Sequence, residues 1–197
     1  MTARLVVLAS GNGSNLQAIL EACSSGALPA RVAAVISDRP QALALERARR
    51  AGVPALARPK YKDDDRGDYD AALADTVADQ QPDWVVLAGW MRLLSMAFLG
   101  RFPGRVINLH PALPGAFPGA HAIEDALAAY QRGEITETGV MVHRVPDEGV
   151  DNGPVLAQRV VGIEARDTVE SLAERIHGVE HEVLVGVLRE LCRGVGE

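Results

Sequence analysis

Cysteine is scarce: Cys23 and Cys192 are the only two in 197 residues, far apart and in no C-x-x-C pair, which excludes a disulfide framework. Both read as small apolar side chains on helices, in keeping with a reducing compartment. Positive charge is scarce too. Twenty Lys and Arg against 26 Asp and Glu leave a net charge of -6 and no basic stripe, which argues against a nucleic-acid or membrane-surface partner. Any anion has to be held locally. Long apolar runs are missing as well, because the opening MTARLVVLASGNG reaches its glycines before a signal segment or spanning helix could form. A cytoplasmic protein is expected. No internal repeat is visible, and the one polar cluster, Lys60 to Asp70, reads as an exposed loop within a domain.

What is present is a chain 48% hydrophobic, enough for one sizeable core and a single domain over 1–197. Short apolar runs at Leu5 to Ala9, Val32 to Ile36, Val85 to Ala88 and Val106 to Leu109 alternate with helical patterns. Those patterns cover Ser14 to Cys23, Gln41 to Ala51, Tyr69 to Gln81 and Ser95 to Gly100. This alternation predicts an α/β fold with a doubly wound, mostly parallel sheet. Beyond His110 come a helix from His121 to Arg132, strand-like runs at Gly139 to Val145 and Val155 to Val161, and a long helix from Thr168 to about Arg193. The paired runs predict that antiparallel strands extend the sheet.

Strand one runs into Ser10-Gly11-Asn12-Gly13-Ser14-Asn15 and then a helix, so free amides and the positive end of a helix dipole face one point. That suits a single phosphate. No Gly-Lys-Ser/Thr follows, and Leu16 stands where a dinucleotide fingerprint wants glycine or alanine. The plainer alternative is a tight turn with Ser14 as helix cap.

VINLHPALPG, Val106 to Gly115, puts an amide and an imidazole two residues apart before a proline that stops the strand. Residues i and i+2 share a face, so Asn108 and His110 project together at a strand end where open α/β sheets bind ligands. An amide NH2 can donate to a developing oxyanion and an imidazole can carry a proton, a pairing suited to acyl transfer. The missing carboxylate is sought in PDEGVDNGP, where Asp147, Glu148 and Asp151 all qualify and spacing does not choose among them.

In the last helix Glu180 has Ile176, Val183, Leu184 and Val187 on its own face, so it points into the apolar stripe and needs a partner, a ligand being favoured. His177-Gly178-Val179-Glu180-His181 formally matches the H-x-x-E-H zinc-peptidase pattern. Both imidazoles lie toward the stripe's edge, no acidic ligand follows, and Gly178 weakens the helix. No metal is expected.

With these residues in hand, the chain resembles the phosphoribosylglycinamide formyltransferases, which use 10-formyltetrahydrofolate, over nearly its whole length. The resemblance is carried, in order, by the Ser-Gly-Asn-Gly-Ser-Asn loop, Val86 to Leu94 (VLAGWMRLL), Asn-Leu-His-Pro, Asp-Asn-Gly-Pro and Glu180-His181. It implies a Rossmann-like half, 1–105, whose Asn12, Gly13, Ser14 and Asn15 hold a ribonucleotide phosphate. A second half, 106–197, carries catalysis and folate binding. By the same resemblance Asn108, His110 and Asp151 are the catalytic trio; in the expected reaction Asn108 and a protonated His110 stabilise the oxyanion and Asp151 supports that charge. Arg66, Met91, Arg92, Leu93, Leu94, Asn108, Glu148, Val150 and Asp151 line the folate site, while Glu180 and His177 meet the glycinamide substrate. The implied partners are small molecules, with a monomer or homodimer and no metal. The chain departs from the family at His110-Pro111-Ala112-Leu113-Pro114-Gly115 and in a Pro146 to Val150 loop one residue longer than in some members.

Methionyl-tRNA formyltransferase and formyltetrahydrofolate deformylase resemble the same catalytic region. The length of 197 residues and the phosphate loop favour a small ribonucleotide as substrate instead. A zinc hydrolase built on the last helix and a non-catalytic nucleotide-binding module are the readings from other classes.

Overall fold

The computed structural model describes residues 2–194. Its centre is a seven-stranded sheet in the order β3-β2-β1-β4-β5-β6-β7. Parallel pairing joins β3 (Ala55–Ala57), β2 (Ala30–Ser37), β1 (Ala3–Leu8), β4 (Trp84–Leu87) and β5 (Val106–His110). The strands β6 (Glu137–Arg144) and β7 (Val155–Gly162) then continue it antiparallel. This is the doubly wound sheet with an antiparallel extension that the alternating pattern predicts.

Strand residues divide by parity between two cores. Leu5 and Val7 pack with α1 (Ser14–Ser24), α5 (Ala122–Gln131) and α6 (Val169–Arg193), whereas Val6 and Leu8 pack on the other face with α3 (Arg66–Ala78) and α4 (Met96–Leu99). Side chains on successive residues leave a strand on opposite faces, so a parallel strand covered on both sides reads as a continuous apolar run. The remaining helix, α2 (Leu43–Arg50), is short and basic toward its end.

Helix α6 starts at a capping box in which Thr168 Oγ1 accepts from the Ser171 amide and Ser171 Oγ from the Thr168 amide. Its buried stripe is Leu172, Ile176, Glu180, Val183, Leu184, Val187 and Leu188, the face expected from the helical period. Cys23 on α1 and Cys192 on α6 are free thiols.

Two expectations need correction. The segment Lys60 to Asp70 is a loop only to Asp65, whose carboxylate accepts from the Gly67 and Asp68 amides and starts α3 at Arg66, three residues before the expected Tyr69. Asp70 is accordingly buried, its Oδ2 accepting the Ser95 amide at 2.7 Å. Strand β3 was not expected at all. Three half-buried residues between Pro54 and Pro59 are too few to show a period.

Candidate active site

The order of the sheet reverses direction between β1 and β4, and the carboxyl ends of β1, β4 and β5 open there into a crevice. At the β5 end Asn108 and His110 do share a face. Because β6 runs antiparallel to β5, His143 lies directly opposite Asn108 in the register. The loop after β6 then turns back and delivers Asp151 between them.

Asp151 is the hub. Its Oδ1 lies 3.0 Å from Asn108 Nδ2 and 3.5 Å from His143 Nε2. Its Oδ2 accepts the Gly119 amide at 2.9 Å and lies 3.3 Å from His110 Nδ1. Asn108 Nδ2 also reaches His143 Nε2 at 3.2 Å, while His143 Nδ1 faces the Arg144 carbonyl at 2.8 Å. The backbone of Asp151 sits at φ 49, left-handed for a residue with a side chain, a strain that persists only where surrounding contacts fix it. Of the three carboxylates the sequence left open, Asp151 is the one that meets the Asn-His pair.

Burial alone would raise the Asp151 carboxyl. The hydrogen bond from His143, the Gly119 amide and the neighbouring His110 outweigh it, so the group titrates below the usual carboxylate range and is ionised. For His110 burial is the largest influence and pulls the imidazole down, with Asp151 and the Phe117 carbonyl opposing without reversing it. The imidazole therefore holds a proton less tightly than a free one. Yet its Nε2 lies 2.9 Å from the Phe117 oxygen and its Nδ1 faces the Asp151 carboxylate. Both neighbours only accept, so either neutral tautomer leaves a lone pair against an oxygen. The site is poised to take up one proton.

On the other side of the crevice, Gly13 precedes α1 in the left-handed conformation, φ 75. A Cβ there would come within 2.8 Å of the Ala44 backbone, so glycine is required twice over. Gly13, and not Ser14, occupies the cap position, and no side chain caps the helix, which leaves its first amides free for an anion. Arg47 grips Asn12, donating from Nε to its carbonyl at 2.9 Å and from Nη2 to Oδ1 at 2.8 Å. Asn15 Nδ2 donates to Glu180 Oε2 at 3.0 Å, and Asn15 Oδ1 is buried with no partner. Burial raises the Glu180 carboxyl, while Asn15 and His177 partly offset it. The partner Glu180 needed is thus a neutral amide of the protein. His177 is exposed, and among the described residues no three His, Cys, Asp or Glu side chains converge as a metal site.

The sequence pattern of the formyl transferase family matches residues 3–188. The chain belongs to the formyl transferase family. A phosphoribosylglycinamide formyltransferase of Schizosaccharomyces pombe is 46% identical, with 97% of this chain and 98% of that protein aligned. The Escherichia coli protein of the same name is 42% identical over 91% of this chain and 82% of its own. Among solved structures, glycinamide ribonucleotide transformylase 1 of Symbiobacterium toebii superposes with a TM-score of 0.92 at 44% identity, covering 98% of this chain and 89% of that one.

In this formyl transferase the cavity of about 360 Å3 at the β4 and β5 ends is lined by Asn108, His110, His143 and Asp151, and by Met91, Arg92, Leu93 and Leu94 with Glu148 and Val150. Arg66 does not line it. It faces an adjoining outer cavity with Lys60, Asp70, Met91, Arg92 and Leu93. Asn12, Gly13, Ser14, Asn15, His177 and Glu180 lie outside both. The glycine loop is nonetheless tied to the main cavity, because Ser10 Oγ accepts the Met91 amide at 3.0 Å. Sequence reasoning missed His143, Gly119 and Phe117. A polar residue directly after the apolar run Val140 to Val142 was the available signal for His143, but its meaning depends on the β5–β6 register.

Proposed function

We infer that the chain transfers the formyl group of 10-formyltetrahydrofolate to the amine of N1-(5-phospho-D-ribosyl)glycinamide in de novo purine (IMP) biosynthesis, giving the N-formyl product and tetrahydrofolate. The observation that carries this reading is the convergence of Asn108, His110 and ionised Asp151 on one cavity beside a helix start with free amides. In the proposed roles, the amides after Gly13, with Asn12, Ser14 and Asn15, hold the phosphate. Glu180 and His177 flank the ribosyl-glycinamide. Met91 to Leu94 and Val150 enclose the folate, with Arg66 at its outer end.

The glycinamide nitrogen attacks the N10-formyl carbon, and the carbonyl oxygen gains charge as the tetrahedral centre forms. Asn108 redirects an N–H from Asp151 or His143 to that oxygen. The attacking nitrogen then loses a proton to His110, whose imidazolium completes the contact with Asp151. The same proton passes to N10 as the C–N10 bond breaks, so tetrahydrofolate leaves as the neutral amine. No net proton is taken up.

The test is an assay with both substrates, following deformylation of the folate and formation of the N-formyl product. Deformylation that requires the amine is expected. Deformylation that proceeds equally without it, releasing formate, would replace a transferase with a hydrolase.

A further inference from the structure

Arg66 stands on the first turn of α3, at the junction of the two cavities, which share Met91, Arg92 and Leu93. Its guanidinium is flanked by two acids. Asp70 Oδ2 is 4.0 Å from Nε, and Glu148 Oε2 is 3.1 Å from Nη2. These acids differ in freedom. Asp70 is buried, with its side chain 4% exposed, and the same oxygen holds the Ser95 amide. Glu148 comes from the loop after β6, its side chain is 43% exposed, and its other oxygen accepts the Met96 amide at 2.9 Å. The Glu148–Arg66 pair therefore ties the rim of the main cavity to a residue of the outer one.

The outer cavity is otherwise cationic. Lys60 and Arg92 line it with Arg66, and Arg92 is 3.8 Å from Asp38 Oδ2. Among the described residues, Lys60 Nζ has only the Tyr61 and Asp64 carbonyls within hydrogen-bonding reach. A ligand whose ring system fills the apolar main cavity and whose end carries carboxylates meets the Glu148–Arg66 contact beside these charges. A third carboxylate brought to Arg66 meets the negative charge of both acids, and of the two only the half-exposed Glu148 is free to move aside.

We propose that Glu148 competes with the co-substrate: it occupies Arg66 in the empty site, and the acidic tail of the folate binds by displacing it. The inference rests on the folate reading of the main cavity and gives Glu148 the opposite of a ligand's role. Its carboxylate sets how strongly the site distinguishes folates with an acidic tail from those without one.

The probes are tetrahydrofolate, which carries a glutamyl tail, and tetrahydropteroate, which lacks it, with Kd for each measured by calorimetry. Glu148→Gln keeps an oxygen to accept the Met96 amide and removes the charge. The expected result is a ratio of tetrahydrofolate to tetrahydropteroate affinity about two- to fivefold higher than in the wild type, the range open to a half-exposed ion pair. That increase shrinks as salt is raised. Glu148→Ala also gives up the Met96 contact, and both ligands bind it more weakly, yet the ratio rises again. A ratio unchanged or lowered in both variants overturns the proposal. Formyl transfer by the wild type with an unmoved ratio overturns it alone, whereas a wild-type chain that binds neither folate overturns it together with the proposed function.

Discussion

The two sides of the crevice handle polar groups in opposite ways. At the β5 and β6 ends, Asn108, His110, His143 and Asp151 are wired to one another and to the Gly119, Phe117 and Arg144 backbone. At the glycine loop, the first amides of α1 have no side-chain cap, Asn15 Oδ1 is buried without a partner, and Glu180 leans on a single neutral amide. A closed network fixes geometry and proton affinity before any ligand arrives, which is what a reacting centre needs. An open set of donors and acceptors leaves its hydrogen bonds for a ligand to complete. The contrast separates chemistry from binding on the two sides of the crevice, and substitutions on either side should divide in the same manner.

The largest effect is expected on the wired side. His110→Ala and Asn108→Ala should each lower kcat by about 10²–10³-fold, with KM for the ribonucleotide within a small factor of the wild type and an unchanged circular dichroism spectrum. Steady-state kinetics with both substrates checks this. A loss confined to KM would erase the distinction between the two sides.

Next comes the loop. Gly13→Ala forces a side chain onto a left-handed backbone and against Ala44, at a cost of about 1–3 kcal/mol measured by denaturant unfolding. Ribonucleotide affinity should fall with it while folate affinity holds.

Glu180→Gln should raise KM for the ribonucleotide about tenfold, the scale of one charge-assisted hydrogen bond, with kcat little changed. Its stability should move the other way. Because burial raises the Glu180 carboxyl, the folded state holds its proton more tightly than the unfolded chain. Wild-type stability therefore declines as pH climbs from the ordinary carboxylate range through that raised value, and the glutamine variant should lack this decline. Thermal unfolding between pH 4 and 8 is the measurement, a range of about four units chosen to span ordinary and raised carboxyls.

The smallest effect concerns proton affinity at the hub. His110 titrates below the ~6.5 of free imidazole. A lowered value means that the folded state binds its proton less readily than the unfolded chain, so stability is lost as pH falls through that interval. The kcat/KM of the wild type should lose its acid limb at the same lowered midpoint. Asp151 raises the imidazole, so Asp151→Asn should lower the midpoint further, read from the ring-proton NMR shifts of His110. An upward shift would mean that the carboxylate does not act on the ring.

Much of this was legible in the chain. The parity of apolar runs announces strands covered on both faces, and the 3.6-residue stripe of α6 already places Glu180 among Ile176, Val183 and Leu184. Asn108 and His110 could be put on one face because a strand has a fixed period of two. Other features had no local signal. Strand β3 is too short for periodicity. The start of α3 turned on whether the Asp65 side chain folds back onto two amides, a choice its acidic neighbours Asp63 and Asp64 obscured. Asp151 could not be told from Asp147 or Glu148 by spacing, since a turn decides which carboxylate faces inward.

The sequence by itself determined the layered sheet, the glycine turn before the first helix and the amide-imidazole pair, because each follows from short-range geometry in which neighbours along the chain are neighbours in space. Only the tertiary structure decided that His143 stands across from Asn108, that Asp151 joins the two histidines, and that Glu148 holds Arg66. Those contacts span 35 residues for His143–Asn108, 41 and 8 for Asp151 to His110 and His143, and 82 for Glu148–Arg66, and they depend on an antiparallel register and a loop's direction. Neither is encoded in any one segment; both emerge when the strands find their partners and burial selects which polar groups must satisfy one another.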